Sequence, residues 1–180
     1  MAKKTKRRKT RARRPKISFG ATIPENNNNS SYISGMTKEQ IEKLSKRNAQ
    51  KIINGTDNLK SRGHTGSIVL PRLRKRLNYR SGLERRSYLA LDAIPEVVNI
   101  ETEPFMIEYD YHGYRLNYVP DIIIKMHNGN IWLFEVKPQS QVNEPKNQAK
   151  FAAANIFCEK RNMQFGLITN PAHVKRMISE

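Results

Sequence analysis

At 180 residues the chain has room for one domain of ordinary size plus extensions. Its formal net charge of +17 points to a polyanionic partner. The single cysteine, Cys158, excludes an internal disulfide, and its apolar surroundings mark it as a small core residue. No run reaches the ~18 apolar residues of a membrane span. The basic N-terminus also lacks the apolar stretch of a secretion signal, so an intracellular protein is expected.

The charge is unevenly placed: residues 1–80 carry 22 Lys/Arg against 4 Asp/Glu, and residues 81–180 carry 11 against 12. The first sixteen residues hold ten basic side chains and no acidic one: Lys3, Lys4, Lys6, Arg7, Arg8, Lys9, Arg11, Arg13, Arg14 and Lys16. Such a segment repels itself and has nothing to bury, so it is expected to stay disordered until it meets a polyanion, nucleic acid above all. A solubilising tail or an import signal is the alternative. Residues 24–36 have linker composition, with four consecutive asparagines, so residues 1–36 are taken as arm and linker.

A second unit, residues 37–77, opens with a helix at Thr37, where Gln40 completes a capping box. Ile41, Leu44, Ile52 and Ile53 predict one apolar stripe, with Lys38, Lys43, Lys46, Arg47 and Lys51 elsewhere on the surface and Asn54-Gly55 as the stop. The stripe must dock on the body of the chain, on a second copy or on another protein. Residues 60–78 supply a Gly-rich turn and a second basic cluster, Arg72, Arg74, Lys75 and Arg76, expected to hold a phosphate backbone beside the acidic site downstream.

From residue 78 the pattern is more regular. Ser81 predicts the cap of a helix carrying Leu83, Tyr88, Leu89 and Leu91 and ended by Pro95. Glu84, three residues after Ser81, reads first as the partner in a capping box. Val97 to Ile107 predicts a strand, Tyr109 to Tyr114 a hairpin turn around Gly113, Leu116 to Ile124 a second strand and Ile131 to Lys137 a third, closed by Pro138. Asn128-Gly129 is the turn between the last two. Pro145 to Arg161 predicts a helix with Ala149, Ala152, Ala153, Ile156 and Phe157 inward, followed by a short strand over Gln164 to Thr169 and a helix over Pro171 to Ile178. Helices around antiparallel and crossover-linked strands predict an α/β mixed sheet with helices on its faces.

The chemistry concentrates at Pro120-Asp121 and Glu135-Val136-Lys137. If the strands joined by Asn128-Gly129 pair back to back, Asp121 approaches Glu135, and two carboxylates with the Val136 carbonyl offer the oxygen ligands that Mg²⁺ prefers. Lys137 falls two residues after Glu135, so an extended strand points both side chains to one face, where the lysine reaches a phosphate or an attacking water. The four histidines, His64, His112, His127 and His173, show no metal-ligand spacing, and no Walker-type phosphate loop is present.

Taken together, Glu84 on the first helix, Pro120-Asp121, Glu135-Val136-Lys137-Pro138 and a following helix bearing Gln148 resemble the motif set of the PD-(D/E)XK nucleases. The stretch Tyr79-Arg80-Ser81-Gly82-Leu83-Glu84-Arg85-Arg86 resembles the branch that holds the TnsA transposon-end nucleases, the phage junction-resolving endonucleases and the head-completion nucleases of tailed phages. The resemblance runs from about Asn78 to Asn170. It implies a restriction-endonuclease-like domain over residues 78–180 that hydrolyses DNA with Mg²⁺, or Mn²⁺ in its place. Asp121, Glu135 and the Val136 carbonyl would bind the metal, Lys137 would assist the nucleophile, and Glu84 would add a ligand or orient water. Gln148 would lie near metal and substrate, with Lys150 a weaker candidate. Only ten residues follow Asn170, which argues against a transposase subunit with a second helical domain. The head-completion nucleases match best in compactness, implying action on packaged DNA, portal or neck proteins as partners, an oligomer as an open option, and a place in the virion and host cytoplasm. A TnsA-like or junction-resolving nuclease is the nearest alternative. A non-catalytic DNA-binding virion protein is the alternative from another class.

Overall fold

The computed structural model describes residues 35–56 and 65–179. The ten basic residues of the arm, all but the end of the Asn-rich linker, and His64 lie outside them. The elements in chain order are α1 (Lys38–Ile53), β1 (Gly66–Leu70), β2 (Lys75–Tyr79), α2 (Gly82–Asp92), β3 (Val97–Thr102), β4 (Ile107–Tyr111), β5 (Tyr114–Tyr118), β6 (Ile122–Met126), β7 (Ile131–Val136), α3 (Pro145–Glu159), β8 (Gln164–Ile168) and α4 (Val174–Ser179). The central sheet has the order β3-β6-β7-β8, antiparallel except for the parallel β7–β8 pair, and the hairpins β1–β2 and β4–β5 form two further sheets. The expected mixed sheet flanked by helices is what the chain forms.

The sheet is covered on both faces, so its strands are apolar on both sides. Ile122, Ile124 and Met126 of β6 and Phe134 and Val136 of β7 face a core closed by α2 and α4, with Ile52 of α1 at its margin. Ile123 and Leu133 face the opposite way, into a core with Ala154 and Cys158 of α3 and Tyr109 and Tyr118 of the β4–β5 hairpin. Between β6 and β7, Gly129 adopts φ +90°, and the Asn128 side chain accepts from the Asn130 N–H at 3.0 Å. Asn-Gly serves that turn because glycine enters the left-handed region without strain. Gly166 of β8 answers a different need. A Cβ there would sit 2.5 Å from the Phe134 ring, so only glycine lets β8 approach.

Several boundaries differ from expectation for identifiable reasons. The strand predicted over Val97 to Ile107 is two, β3 and β4, because Glu103 turns at φ +49° and Pro104 has no N–H to extend a ladder. The strand predicted over Leu116 to Ile124 likewise breaks before Asp121, at Val119-Pro120, and β5 leaves for the small hairpin. The hairpin turn is only His112-Gly113, both at positive φ, and β4 and β5 pair up to Tyr111 and Tyr114. The β1–β2 hairpin was not foreseen within residues 60–78.

α1 has its predicted cap: the Gln40 N–H donates to Thr37 Oγ1 at 3.2 Å, and the Thr37 N–H to Gln40 Oε1 at 2.8 Å. It docks on α2, within the body of the chain. Its buried residues are Ile41, Ser45 and Ile52, while Ile53 is 57% exposed. In α3 the buried line is Asn147, Phe151, Ala154 and Cys158, a face rotated from the predicted one; Ala152 and Ile156 are exposed. That helix is apolar nearly all round in its middle, so spacing alone did not choose the face. Cys158 is 1% exposed, and burial pushes its thiol up to about 12, which leaves it inert at neutral pH.

Candidate active site

The register of β6 and β7 assembles the acidic pair. Ile122 lies opposite Phe134 and Ile123 opposite Leu133, so one step further brings Asp121 opposite Glu135. Alternation then turns both side chains away from Ile122 and Phe134 and towards the face that carries α3 and the β4–β5 hairpin. The main chain fixes Asp121 from two sides: its carbonyl accepts from the Glu103 N–H at 3.1 Å, and its Oδ2 accepts from the Val136 N–H at 2.7 Å. Lys137 lies two residues beyond Glu135 on the same side, with its Nζ 2.9 Å from Glu135 Oε1. The expectation that Asp121, Glu135, Val136 and Lys137 come together is met by this geometry.

Asp121, Glu135 and Lys137 line a cleft of about 510 Å³. Val119 and Tyr118 form its β5 side, Lys150 of α3 faces them, and Arg80 and Glu103 close it as an ion pair at 2.6 Å. Glu135 is 2% exposed, and its Oε2 has no hydrogen-bond partner. Burial, and then the charge of Glu135, push the Asp121 carboxyl up to about 7, against a smaller downward pull from the Val136 N–H. Burial pulls Lys137 down, but Glu135, Asp121 and Glu84 outweigh it and hold its pKa above the ordinary lysine value. Lys137 is therefore a cation here, not a neutral base.

A pair of buried carboxylates with one lysine and one orphaned oxygen is short of positive charge. Oxygen donors of this kind suit a small hard divalent cation, which keeps several of its waters. Among the described residues no three His, Cys, Asp or Glu side chains close round one point. The donors that fit a cation are thus Asp121, Glu135 and the adjacent main chain at Val136, completed by water.

Glu84 lies in the first turn of α2, at the end of that helix nearest the pair, and its carboxylate is held by the residues that open the helix. Ser81 caps the helix as expected, its Oγ accepting from the Glu84 N–H at 3.1 Å, but the return bond of a capping box is replaced: Glu84 Oε1 accepts from Ser81 Oγ at 2.9 Å and Oε2 from the Arg80 N–H at 2.9 Å. The Tyr88 hydroxyl, kept protonated by burial and by Glu84, also points at Oε2 from 3.4 Å. Glu84 nevertheless raises the pKa values of both Asp121 and Lys137, so it acts on the site through its charge.

Two expectations about neighbouring residues change. Gln148 is exposed, donates to the Val142 carbonyl at 2.7 Å and does not line the cleft, whereas Lys150, two residues on, does. The basic cluster does not stand beside the carboxylates. Arg72 and Leu73 bind Asp92, at the far end of α2, roughly 12 Å along the helix from Glu84. The Arg72 guanidinium donates to the carbonyls of Asp92 and Val97, and Lys75 donates to the Ile100 carbonyl at 2.6 Å. Arg74 and Arg76 are exposed, with Arg76 donating to Ser67 Oγ. Sequence reasoning also missed Tyr118, whose place in the cleft depends on the break at Pro120.

Residues 94–170, which contain the sheet, the acidic pair and α3, match the family model described as the TnsA-like endonuclease N-terminal domain. The chain is also 26% identical to the head completion nuclease of Enterobacteria phage T4, in an alignment of 119 residues that takes in 53% of this chain and 79% of that protein.

Proposed function

From a chain that is TnsA-like in sequence and fold, we propose a divalent-metal-dependent DNA endonuclease, of the kind that acts on packaged DNA when a phage head is completed. The observation that carries this reading is the buried Glu135 Oε2 without a partner, beside an Asp121 carboxyl pushed up to about 7. Such an acidic pair is costly to keep unless a cation joins it.

Asp121, Glu135 and the Val136 carbonyl would hold Mg²⁺, or Mn²⁺ in its place. When bound, the ion polarises a phosphoryl oxygen and lowers the pKa of a water. The protein's own groups do the rest. The Val136 N–H keeps Asp121 turned towards Glu135. Lys137, charged and held on Glu135, stabilises the negative charge that grows on the phosphorane and steers the attacking water. Glu84, at the start of α2, biases Lys137 towards the charged form and would orient water beside the ion. The arm at residues 1–16, together with Arg74 and Arg76, supplies sequence-independent phosphate contacts. The similarity to the T4 head completion nuclease supports a role in completing a phage head, and action at the portal or neck, in virion or host cytoplasm, is part of the proposal.

The test is cleavage of linear, supercoiled and branched DNA by the purified chain with Mg²⁺ and with EDTA. Cleavage in Mg²⁺ that EDTA abolishes is expected. DNA binding with no cleavage of any substrate in Mg²⁺ or Mn²⁺ would instead leave a DNA-binding structural protein.

A further inference from the structure

The cleft holds a second buried polar atom with no partner. Tyr118 is 7% exposed, and its hydroxyl, like Glu135 Oε2, is sealed from solvent without a hydrogen bond. A buried donor left without an acceptor is costly to the fold. The ring is well fixed, edge-on to Tyr109 with centroids 5.8 Å apart. Lys150, from α3, places its ammonium 5.8 Å from the centre of the same ring, within range of a cation–π contact. Both residues line the cleft that contains Asp121, Glu135 and Lys137. Beside the acidic pair, whose charge reaches Tyr118, the cleft thus also offers a hydroxyl without an acceptor and an ammonium held by an aromatic face.

Resting on the nuclease reading above, we propose that Tyr118 and Lys150 form the phosphate-holding side of the site: the Tyr118 hydroxyl donates to a non-bridging oxygen of the scissile phosphate, and Lys150, steadied on the Tyr118 ring, contacts the adjacent phosphate of the same strand. The ligand is a nucleic-acid backbone, the polyanion that the nuclease reading brings to this cleft, which presents phosphates in succession along one strand. Burial and the charge of Glu135 hold the Tyr118 pKa above its ordinary value, so the group remains a donor at any working pH. The two parts contribute at different stages. An ammonium that meets a phosphate on docking contributes to binding, whereas a hydroxyl aimed at the reacting phosphate contributes when charge builds there.

Tyr118→Phe keeps the ring and the lysine contact and removes only the hydroxyl. It should leave the thermal midpoint unchanged or raised and the affinity for duplex DNA in Ca²⁺ unchanged, and lower kcat in Mg²⁺ by about 10- to 100-fold. Lys150→Gln should weaken DNA binding in Ca²⁺ and flatten the dependence of log affinity on log salt by about 0.9, one phosphate contact. Glu135→Ala is measured alongside. A Tyr118→Phe protein that cleaves at the wild-type rate, or that loses stability at unchanged kcat, would show a hydroxyl serving only the fold and would overturn the inference. So would a Lys150→Gln protein with wild-type affinity and salt slope. Should the wild type cleave no DNA, the nuclease reading fails by itself, and the Ca²⁺ binding series still decides whether Lys150 holds a phosphate.

Discussion

Helix α2 has a buried carboxylate site near each end, and the two are built to opposite purposes. Asp92, at its C-terminal end, is 0% exposed. It accepts from Ser45 Oγ at 2.8 Å, the Leu73 N–H at 3.0 Å and the Arg72 N–H at 3.2 Å, with the Arg72 guanidinium beside it. Burial still raises its pKa, but every donor around it comes from the protein, and together they tie α1, the β1–β2 turn and α2 into one unit. Beyond the N-terminal end lies the pair Asp121 and Glu135. There the donors are a single N–H from Val136 and one lysine, and Glu135 Oε2 has none. A carboxylate that the protein satisfies is part of the scaffold. One that it buries and leaves short of charge is a place for something from outside.

The largest effect that separates the two sites is on cleavage. Asp121→Ala and Glu135→Ala should each abolish Mg²⁺-dependent hydrolysis while leaving DNA binding in EDTA nearly intact, as gel-based assays of both will show. Wild-type cleavage in either variant would erase the distinction. Next, Lys137→Ala should lower the rate on the order of a hundredfold, the size of a lost electrostatic or acid–base group, at nearly unchanged metal affinity.

Stability should respond in the opposite pattern. Asp92→Ala strands the Ser45 hydroxyl and two N–H groups beside a half-buried guanidinium, and a loss of about 3 kcal/mol in denaturant unfolding is expected. Asp121→Asn removes one of two like charges and should stabilise the metal-free protein at pH 8. A destabilised Asp121→Asn protein would place Asp121 with Asp92 among the scaffold groups.

The pH dependence sharpens this further. The Asp121 pKa of about 7 lies above the unfolded value of about 3.9, so protonation favours the folded state. The stability it contributes is complete below pH ~4 and is lost as pH rises through 7. Without metal, the wild type should therefore lose stability between pH 5 and 8 relative to Asp121→Asn. Asp92, also raised, is common to both proteins and cancels in the difference. Parallel unfolding curves across that range would remove the proposed charge conflict.

The acidic pair was legible in the sequence because its parts are local: two strands, an Asn-Gly turn and a count of residues place Asp121 opposite Glu135. The cap at Ser81 was legible for the same reason, although Glu84 binds the Arg80 N–H instead of closing the box on Ser81. What stayed hidden depends on partners far away in sequence. Arg72 and Lys75 looked like the free members of a basic run, and only the fold shows their acceptors, the carbonyls of Asp92, Val97 and Ile100. Tyr118 looked like the middle of a strand, and it reaches the cleft because Pro120 ends the ladder. In α3 an apolar middle offered two faces, and the hairpin and sheet chose the one with Phe151 and Cys158. That choice set Lys150 rather than Gln148 against the cleft.

The central claim is that Asp121 and Glu135 wait for a divalent cation, and thermal unfolding of the full chain with increasing Mg²⁺ or Mn²⁺ at pH 7.5 tests it most directly. At a hundredfold excess over the dissociation constant the wild type should gain about 2.7 kcal/mol. Glu135→Ala should gain almost nothing, and Asp92→Ala, although less stable at the start, should gain as much as the wild type. Equal stabilisation of the wild type and Glu135→Ala, or none in either, would contradict it.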